Sequence, residues 1–255
     1  MMLSVQSAAE VEEGDAQWRR PPGRAPRSTA EDVHARLKNM IHTGELGPGD
    51  RLPPERRLCA MLEVSRSTLR EGLSALRADG YLEARRGAGG GTFISRLDEP
   101  YARWLTSMRS DKGRLRDIMD LRSAVECEIA LLAAERGTEA QLQGLSATLA
   151  MDGSELGPGQ FREADAQFHG LLAEAAASPR LKALMVEARG ELFAPASTPL
   201  IDEPTIARSH AEHQAILEAV RARDPLRAAQ SMRAHLHSTF VDVSSVIDGP
   251  HLRDA

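Results

Sequence analysis

Aromatic side chains make up only 4% of the 255 residues: two Trp, two Tyr and five Phe. Cores must then be built from Leu, Ala, Val and Ile, which suits packed helices better than sheet sandwiches. Cysteine is nearly absent. Cys59 and Cys127 are too few for a disulfide framework, and both fit as small packing residues within helices. No apolar run approaches the roughly 18–20 residues that a membrane span needs, and the first residues do not read as a secretion signal. A cytoplasmic chain is expected. Lysine is confined to Lys38, Lys112 and Lys182, so basic charge is almost wholly arginine. Present in quantity is hydrophobic surface, 42% of residues, enough for two cores of ordinary size and well above a disordered composition.

The net charge of −5 conceals a division along the chain. Residues 1–18 carry four acids and no base, residues 19–96 carry 15 Lys/Arg against 9 Asp/Glu, and the remainder carries 17 against 24. A basic N-terminal part followed by an acidic C-terminal part suits a nucleic-acid reader with a separate sensing domain.

Residues 1–27 lack periodicity and include the Pro/Gly/Arg-rich run 19–26, which reads as a disordered arm. The arm is either a solvated tail or a toucher of phosphates. Ser28-x-x-Glu31 forms a capping box for a helix with Val33, Leu37, Met40 and Ile41 on one face. The turn Gly47-Pro48-Gly49-Asp50 follows. A second helix opens at Pro53-Pro54-Glu55 and buries Leu58, Met61 and Leu62, and a third, capped by Ser65, runs from Arg66 to Ala78. The few residues between them are helix-turn-helix spacing. Strand-like runs 81–84 and 92–95 flank Arg85-Arg86-Gly87-Ala88-Gly89-Gly90-Gly91, giving a winged helix-turn-helix over 28–96. From there the pattern is helical, with helices expected near 100–109, 115–136, 138–151, 160–177, 179–193, 205–222 and 224–245. Their short connections imply an antiparallel bundle over 97–248, with 249–255 as a tail. The expected fold class is mainly α.

Arg66 and Arg70 stand four apart at the start of the third helix and share an exposed face opposite Leu69, Leu73 and Leu76. With Arg56 they can reach base edges, while Ser67, Thr68 and the helix N-terminus offer donors to phosphate. Arg85, Arg86 and the glycines between the strands suit a wing over the backbone or the minor groove. The alternative is a solvated arginine face, but the pair sits where a helix-turn-helix enters the groove.

Leu52-Pro53-Pro54-Glu55-Arg56-Arg57-Leu58, Val64-Ser65-Arg66-Ser67-Thr68-Leu69-Arg70-Glu71, Leu76-Arg77-Ala78-Asp79-Gly80-Tyr81-Leu82 and Gly91-Thr92-Phe93-Ile94 resemble the GntR family of bacterial transcription regulators. The resemblance implies that Arg56, Arg66 and Arg70 read bases, that Ser67 and Thr68 hold phosphate, and that Gly87 at the wing tip approaches the minor groove.

In the C-terminal part, Asp165 and His169 are four apart and point the same way on one helix. His213 and His235 lie on the last two helices, so one carboxylate and three imidazoles can converge inside a bundle as a divalent transition-metal site, with zinc or nickel suited to the donors. The Asp/His pair also reads as a plain surface contact, and His210 and His237 compete for the ligand roles.

The segments around Asp120–Glu126, Asp165–His169, Glu212–Leu217 and Met232–Leu236 resemble the FCD ligand-binding domain of the FadR-type GntR subgroup. That resemblance implies a metal held by Asp165, His169, His213 and His235, with a small carboxylate effector beside it. Arg122 is placed against that carboxylate because its guanidinium offers a bidentate fork; the competing role is a salt bridge with Asp120 or Glu126. The combined expectation is a homodimeric regulator, a repressor of a palindromic double-stranded DNA operator released by its effector. A metalloenzyme acting on a small acid is the rival, though no HExxH or paired-carboxylate motif supplies its base. A third reading makes the bundle a metal-free dimerisation module.

Overall fold

The computed structural model describes residues 29–87, 89–111, 113–151, 153–195 and 200–249. The expected arm over 1–27 and tail residues 250–255 lie outside that set. The described residues form α1 (Ala30–Thr43), α2 (Glu55–Leu62), α3 (Arg66–Ala78), β1 (Leu82–Arg85), β2 (Gly91–Ile94), α4 (Asp98–Ser110), α5 (Arg114–Arg136), α6 (Glu139–Thr148), a 3-10 turn (Gly153–Glu155), α7 (Pro158–Ala175), α8 (Pro179–Arg189), α9 (Glu203–Arg221) and α10 (Pro225–Asp248). Among them, no helix is long and apolar enough to cross a membrane.

The chain divides into two compact bodies. One takes Pro48–Arg96 with α1 as far as Leu37; the other takes Lys38–Gly47 and everything from Leu97. A single cut at 96/97 therefore misplaces the last turns of α1. Residues 38–47 go with the second body because His42 stacks on Phe193 at 4.0 Å and its Nδ1 meets the Gly190 carbonyl at 2.8 Å.

In the first body, α1 starts at Ala30, and Ser28 of the expected capping box lies outside the described residues. Thr29 and Asp32 cap it reciprocally, Thr29 N donating to Asp32 Oδ2 at 2.9 Å and Asp32 N to Thr29 Oγ1 at 3.2 Å. The α3 cap is as expected, with Thr68 N donating to Ser65 Oγ at 3.1 Å. Leu58, Leu62, Leu69, Leu73 and Leu76 are buried, whereas Met61 is half-buried. Glu63, at φ 57, makes the left-handed turn between α2 and α3. β1 and β2 pair antiparallel, with Leu82 opposite Ile94 and Arg85 opposite Gly91. Each strand is shifted by one residue from the expected runs.

The second body is a helical bundle built on α5, which packs against α7, α8, α9 and α10. Its Ala130, Ala133 and Ala134 are fully buried, small enough to let neighbouring helices come close. Phe168, Leu172, Ile216, Met232 and Leu236 complete the centre. Helix starts are set locally: Thr138 and Gln141 form a capping box, Asp202 accepts from Thr205 N at 2.9 Å, and Asp224 accepts from Arg227 N at 3.0 Å. Pro158, Pro179 and Pro225 occupy first turns, where a missing N–H costs nothing. The expected helix to 193 stops at Arg189, with Gly190 at its C-cap, and the one expected over 138–151 stops at Thr148 before the 3-10 turn.

Candidate nucleic-acid interface and metal centre

α3 presents Arg66, Ser67 and Arg70 to solvent, and Arg56 is exposed on α2. Arg56 and Arg66 make no side-chain bond to any described residue. Arg70 is engaged, its Nε donating to Glu55 Oε2 at 2.9 Å across the helix pair. Ser65 Oγ lies 2.8 Å from Ser67 Oγ and 2.7 Å from Thr68 Oγ1, so one hydroxyl organises the first turn. On the hairpin, Arg85 is held back: it bonds Glu83 Oε1 at 2.7 Å and lies 4.3 Å over the Phe93 ring. Arg86 and Gly87 are exposed, and Gly87 has φ +104, a conformation glycine adopts without strain. Free guanidiniums beside a helix N-terminus, followed by a basic wing, form a surface for a phosphate backbone and base edges.

The second body brings Asp165, His169, His213 and His235 together, with one donor atom from each within 4.8 Å of the others. Asp165 and His169 come from α7, His213 from α9 and His235 from α10. His210 stands outside the cluster beside Gln214, 3.0 Å away, and His237 is exposed. Asp165 Oδ1 lies 3.5 Å from His213 Nε2 and 3.7 Å from His169 Nε2. These are too long for hydrogen bonds, and both Nε2 atoms are buried without one. Two donors each about 2.1 Å from one ion stand about 3.4 Å apart across a tetrahedral angle. The donor set therefore fits a divalent transition ion.

Behind the cluster is a layer that the sequence reading did not contain. His235 Nδ1 meets Glu212 Oε2 at 2.9 Å, and His169 Nδ1 lies 2.8 Å from Glu126 Oε2, close as an ion pair though poorly aligned as a hydrogen bond. A carboxylate on Nδ1 leaves Nε2 as the lone-pair nitrogen. The His213 ring is held by stacking on Phe168 at 4.4 Å. Burial, and then Arg189, push His169 down to about 4. Burial and His235 hold His213 well below its ordinary value. Both rings are then neutral near pH 7, the state a metal requires. Burial opposes charge on Asp165 and Glu126 too. Arg189 and the imidazoles nevertheless keep Asp165 far below the carboxylate range, and Arg122, His169 and Arg189 do the same for Glu126.

A cavity of about 140 Å³ opens against the cluster, lined by Asp165 and His235 and walled by Phe161, Leu200, Ile201 and Val243. Arg122 lines it as well. Its Nε donates to Glu126 Oε1 at 2.6 Å, which of the two salt bridges weighed from sequence is the one formed. Its Nη groups make no hydrogen bond to any described residue. Arg162, also on the cavity wall, donates to the His42 carbonyl at 2.6 Å and the Ile41 carbonyl at 3.3 Å. Burial holds its pKa down to about 10. Glu212 was legible as a neighbour of His213; Arg162 and Arg189 carried no signal of their role.

Comparison with known proteins finds a family match for each part of the chain. Residues 29–94 match the family described as bacterial regulatory proteins, gntR family, and residues 117–238 match the FCD domain. The HTH-type transcriptional repressor NanR of Klebsiella aerogenes is 32% identical over 238 residues, 88% of each chain. The HTH-type transcriptional regulator LutR of Bacillus subtilis is 34% identical over 221 residues, 82% of this chain and 97% of that protein. Among solved structures, E. coli McbR/YncC has the same fold at 19% identity, with a TM-score of 0.53 over 87% of this chain and 98% of that one. A winged helix-turn-helix matched to the gntR family, followed by a bundle matched to the FCD domain, makes this chain a member of the gntR family of bacterial regulators, a DNA-binding transcriptional regulator.

Proposed function

We propose that the protein is a cytoplasmic, homodimeric repressor that reads a palindromic operator and leaves it when a small carboxylate binds beside a divalent metal. The observation that carries this reading is the pair of buried, unbonded Nε2 atoms on His169 and His213, converging with Asp165 beside a cavity that Arg122 also lines. Buried polar atoms without partners are costly unless something takes them. Asp165, His169, His213 and His235 would hold zinc or nickel, and the ion, when bound, supplies positive charge and a coordination site for an effector oxygen. Arg122, with uncommitted Nη groups, takes the effector carboxylate as a bidentate fork.

At the other end of the chain, the body formed by α1 as far as Leu37 and by Pro48–Arg96 reads DNA. Arg56, Arg66 and Arg70 contact base edges, Ser67 and Thr68 hold phosphate, and Arg86 and Gly87 follow the minor groove. The other body, Lys38–Gly47 with the bundle from Leu97, senses and dimerises. Effector binding favours a dimer arrangement in which the two recognition helices no longer match successive half-sites. NanR, named as a repressor, supports the sign of regulation.

The test is operator binding by fluorescence anisotropy on a fragment from the protein's own promoter region, with a panel of small carboxylates and with a chelator. At least one acid should weaken binding by about 5- to 150-fold, the range of ordinary allosteric coupling. Binding unchanged by every acid and by chelation would overturn the sensing half.

A further inference from the structure

The wing hairpin does not stand alone. Residues 49–52 run along β2: Gly49 N donates to the Ile94 carbonyl at 3.0 Å, Ile94 N to the Asp50 carbonyl at 2.9 Å and Leu52 N to the Thr92 carbonyl at 2.9 Å. An isolated two-stranded hairpin is marginally stable in water, and a third run of backbone steadies it. Leu52 is buried, so by strand alternation Arg51 points the other way, and it is exposed.

From that position Arg51 reaches the end of the hairpin. Its Nη2 donates to the Gly90 carbonyl at 2.7 Å, and its guanidinium carbon lies 6.0 Å from the centre of the Phe93 ring. Gly90 N in turn donates to the Gly87 carbonyl at 2.9 Å, so the bond lands on a residue that closes the wing tip. The guanidinium takes up space that a glycine leaves open: a Cβ on Gly91 would stand 2.8 Å from Arg51 Nε. Pairing between β1 and β2 ends at Arg85 and Gly91 and does not reach the tip. A charged donor on a backbone carbonyl is among the stronger hydrogen bonds. This one ties the tip to residues that run on through Pro53 and Pro54 into α2.

We propose that Arg51 is a positioning residue for DNA reading: through Gly90 it fixes the wing tip, and with it Arg86 and Gly87, at one setting relative to α2 and α3. The inference rests on the placement of the wing at the minor groove proposed above and adds what holds it there. Without the clamp, a glycine-rich tip samples many backbone conformations, and each contact that Arg86 makes with DNA must first order it.

Footprinting of the full chain on an operator fragment from its own promoter region tests it, with hydroxyl radicals reading the minor groove and dimethyl sulfate the major-groove guanines. Arg51→Met keeps an unbranched stem beside Phe93 and removes the donors. It should lose the minor-groove protection at the wing while guanine protection persists. Operator affinity should fall about three- to tenfold, with the thermal midpoint within about 2 °C of wild type. Arg51→Lys, which keeps the charge and a donor, should recover part of the protection. In an Arg86→Ala background, Arg51→Met should change affinity by less than about twofold, because the two residues act as one unit. An equal loss in both backgrounds, with the salt slope lowered by about 1, makes Arg51 a direct phosphate contact and overturns the positioning role. Minor-groove protection that survives Arg51→Met, or that disappears together with guanine protection, also overturns it and leaves the wing placement standing. Wild type without minor-groove protection at the wing overturns both.

Discussion

Arg189 Nη2 lies 2.5 Å from Asp165 Oδ2, which leaves Asp165 Oδ1 facing the Nε2 atoms of His213 and His169. One carboxylate is thus divided, with one oxygen fixed by a guanidinium and the other turned to the imidazoles. Arg189 also stands 3.6 Å from Glu126. Replacing it by Ala releases the Asp165 carboxylate without removing any of the four clustered side chains. Metal affinity, measured by competition with a chromogenic chelator, should fall about 10- to 100-fold, as when groups supporting metal ligands are lost. Unchanged affinity would separate Arg189 from the cluster.

Acid should destabilise the metal-stripped protein before it reaches the carboxylate range. His169 is held at about 4 against an ordinary 6.5, chiefly by burial and then by Arg189. Between those values the unfolded chain binds more protons than the folded one, so stability falls as pH drops from about 6.5 to about 4, by about 3 kcal/mol from this group. His213 is shifted in the same direction. Urea midpoints after chelation, taken from pH 7.5 down to 4.5, should decline steadily, and His169→Gln should flatten the slope. A midpoint that holds constant or rises on acidification contradicts the burial argument.

On the first body, Arg56 and Arg66 are exposed without a side-chain bond to any described residue, whereas Arg85 is bonded within the protein. Arg66→Ala should weaken operator binding by about 1–3 kcal/mol, the cost of one bidentate base contact. Arg85→Ala should act mainly on stability, since Arg85 already lies on Phe93 and Glu83. Glu55→Gln frees Arg70 from an exposed ion pair worth at most about 1 kcal/mol. It also removes a negative charge near the duplex, so low-salt binding should tighten a few-fold. Weaker binding by Glu55→Gln would mean that the pair positions Arg70 for the groove.

Gly72 on α3 packs against α1 so closely that an added Cβ would stand 2.7 Å from Val33 Cγ1 and 2.9 Å from the Ala30 carbonyl oxygen. Backbone cannot swing aside as a side-chain tip can. Gly72→Ala should therefore destabilise the first body by about 1–3 kcal/mol despite better helix propensity, seen as a lower thermal midpoint with weakened DNA binding. A gain in stability would show that α1 and α3 have room to separate.

The winged-helix part was legible because its signals are local. Ser65 marks a helix start, Leu69, Leu73 and Leu76 mark one face, and Asp79-Gly80 marks the end; the observed α3 has those bounds. At α1, Thr29-x-x-Asp32 forms a box that sequence alone does not rank above the adjacent Ser28-x-x-Glu31. In the bundle, Asp165 and His169 were readable as a pair because one helix sets their spacing. Arg162 and Arg189 were not. Periodicity assigns charged residues to solvent, and what keeps these two inside is a carboxylate or a carbonyl from another helix. Glu126 was visible four residues from Arg122, yet its contact with His169 depends on α5 and α7 meeting.

The most direct test of the metal-sensing account is elemental analysis of protein purified without a metal-affinity tag, for wild type and for the double variant Asp165→Ala/His213→Ala. The donor set predicts about one zinc or nickel ion per chain in wild type and none in the variant. Metal-free wild type that still binds its operator specifically would contradict the account and leave the bundle as a regulator domain without a metal centre.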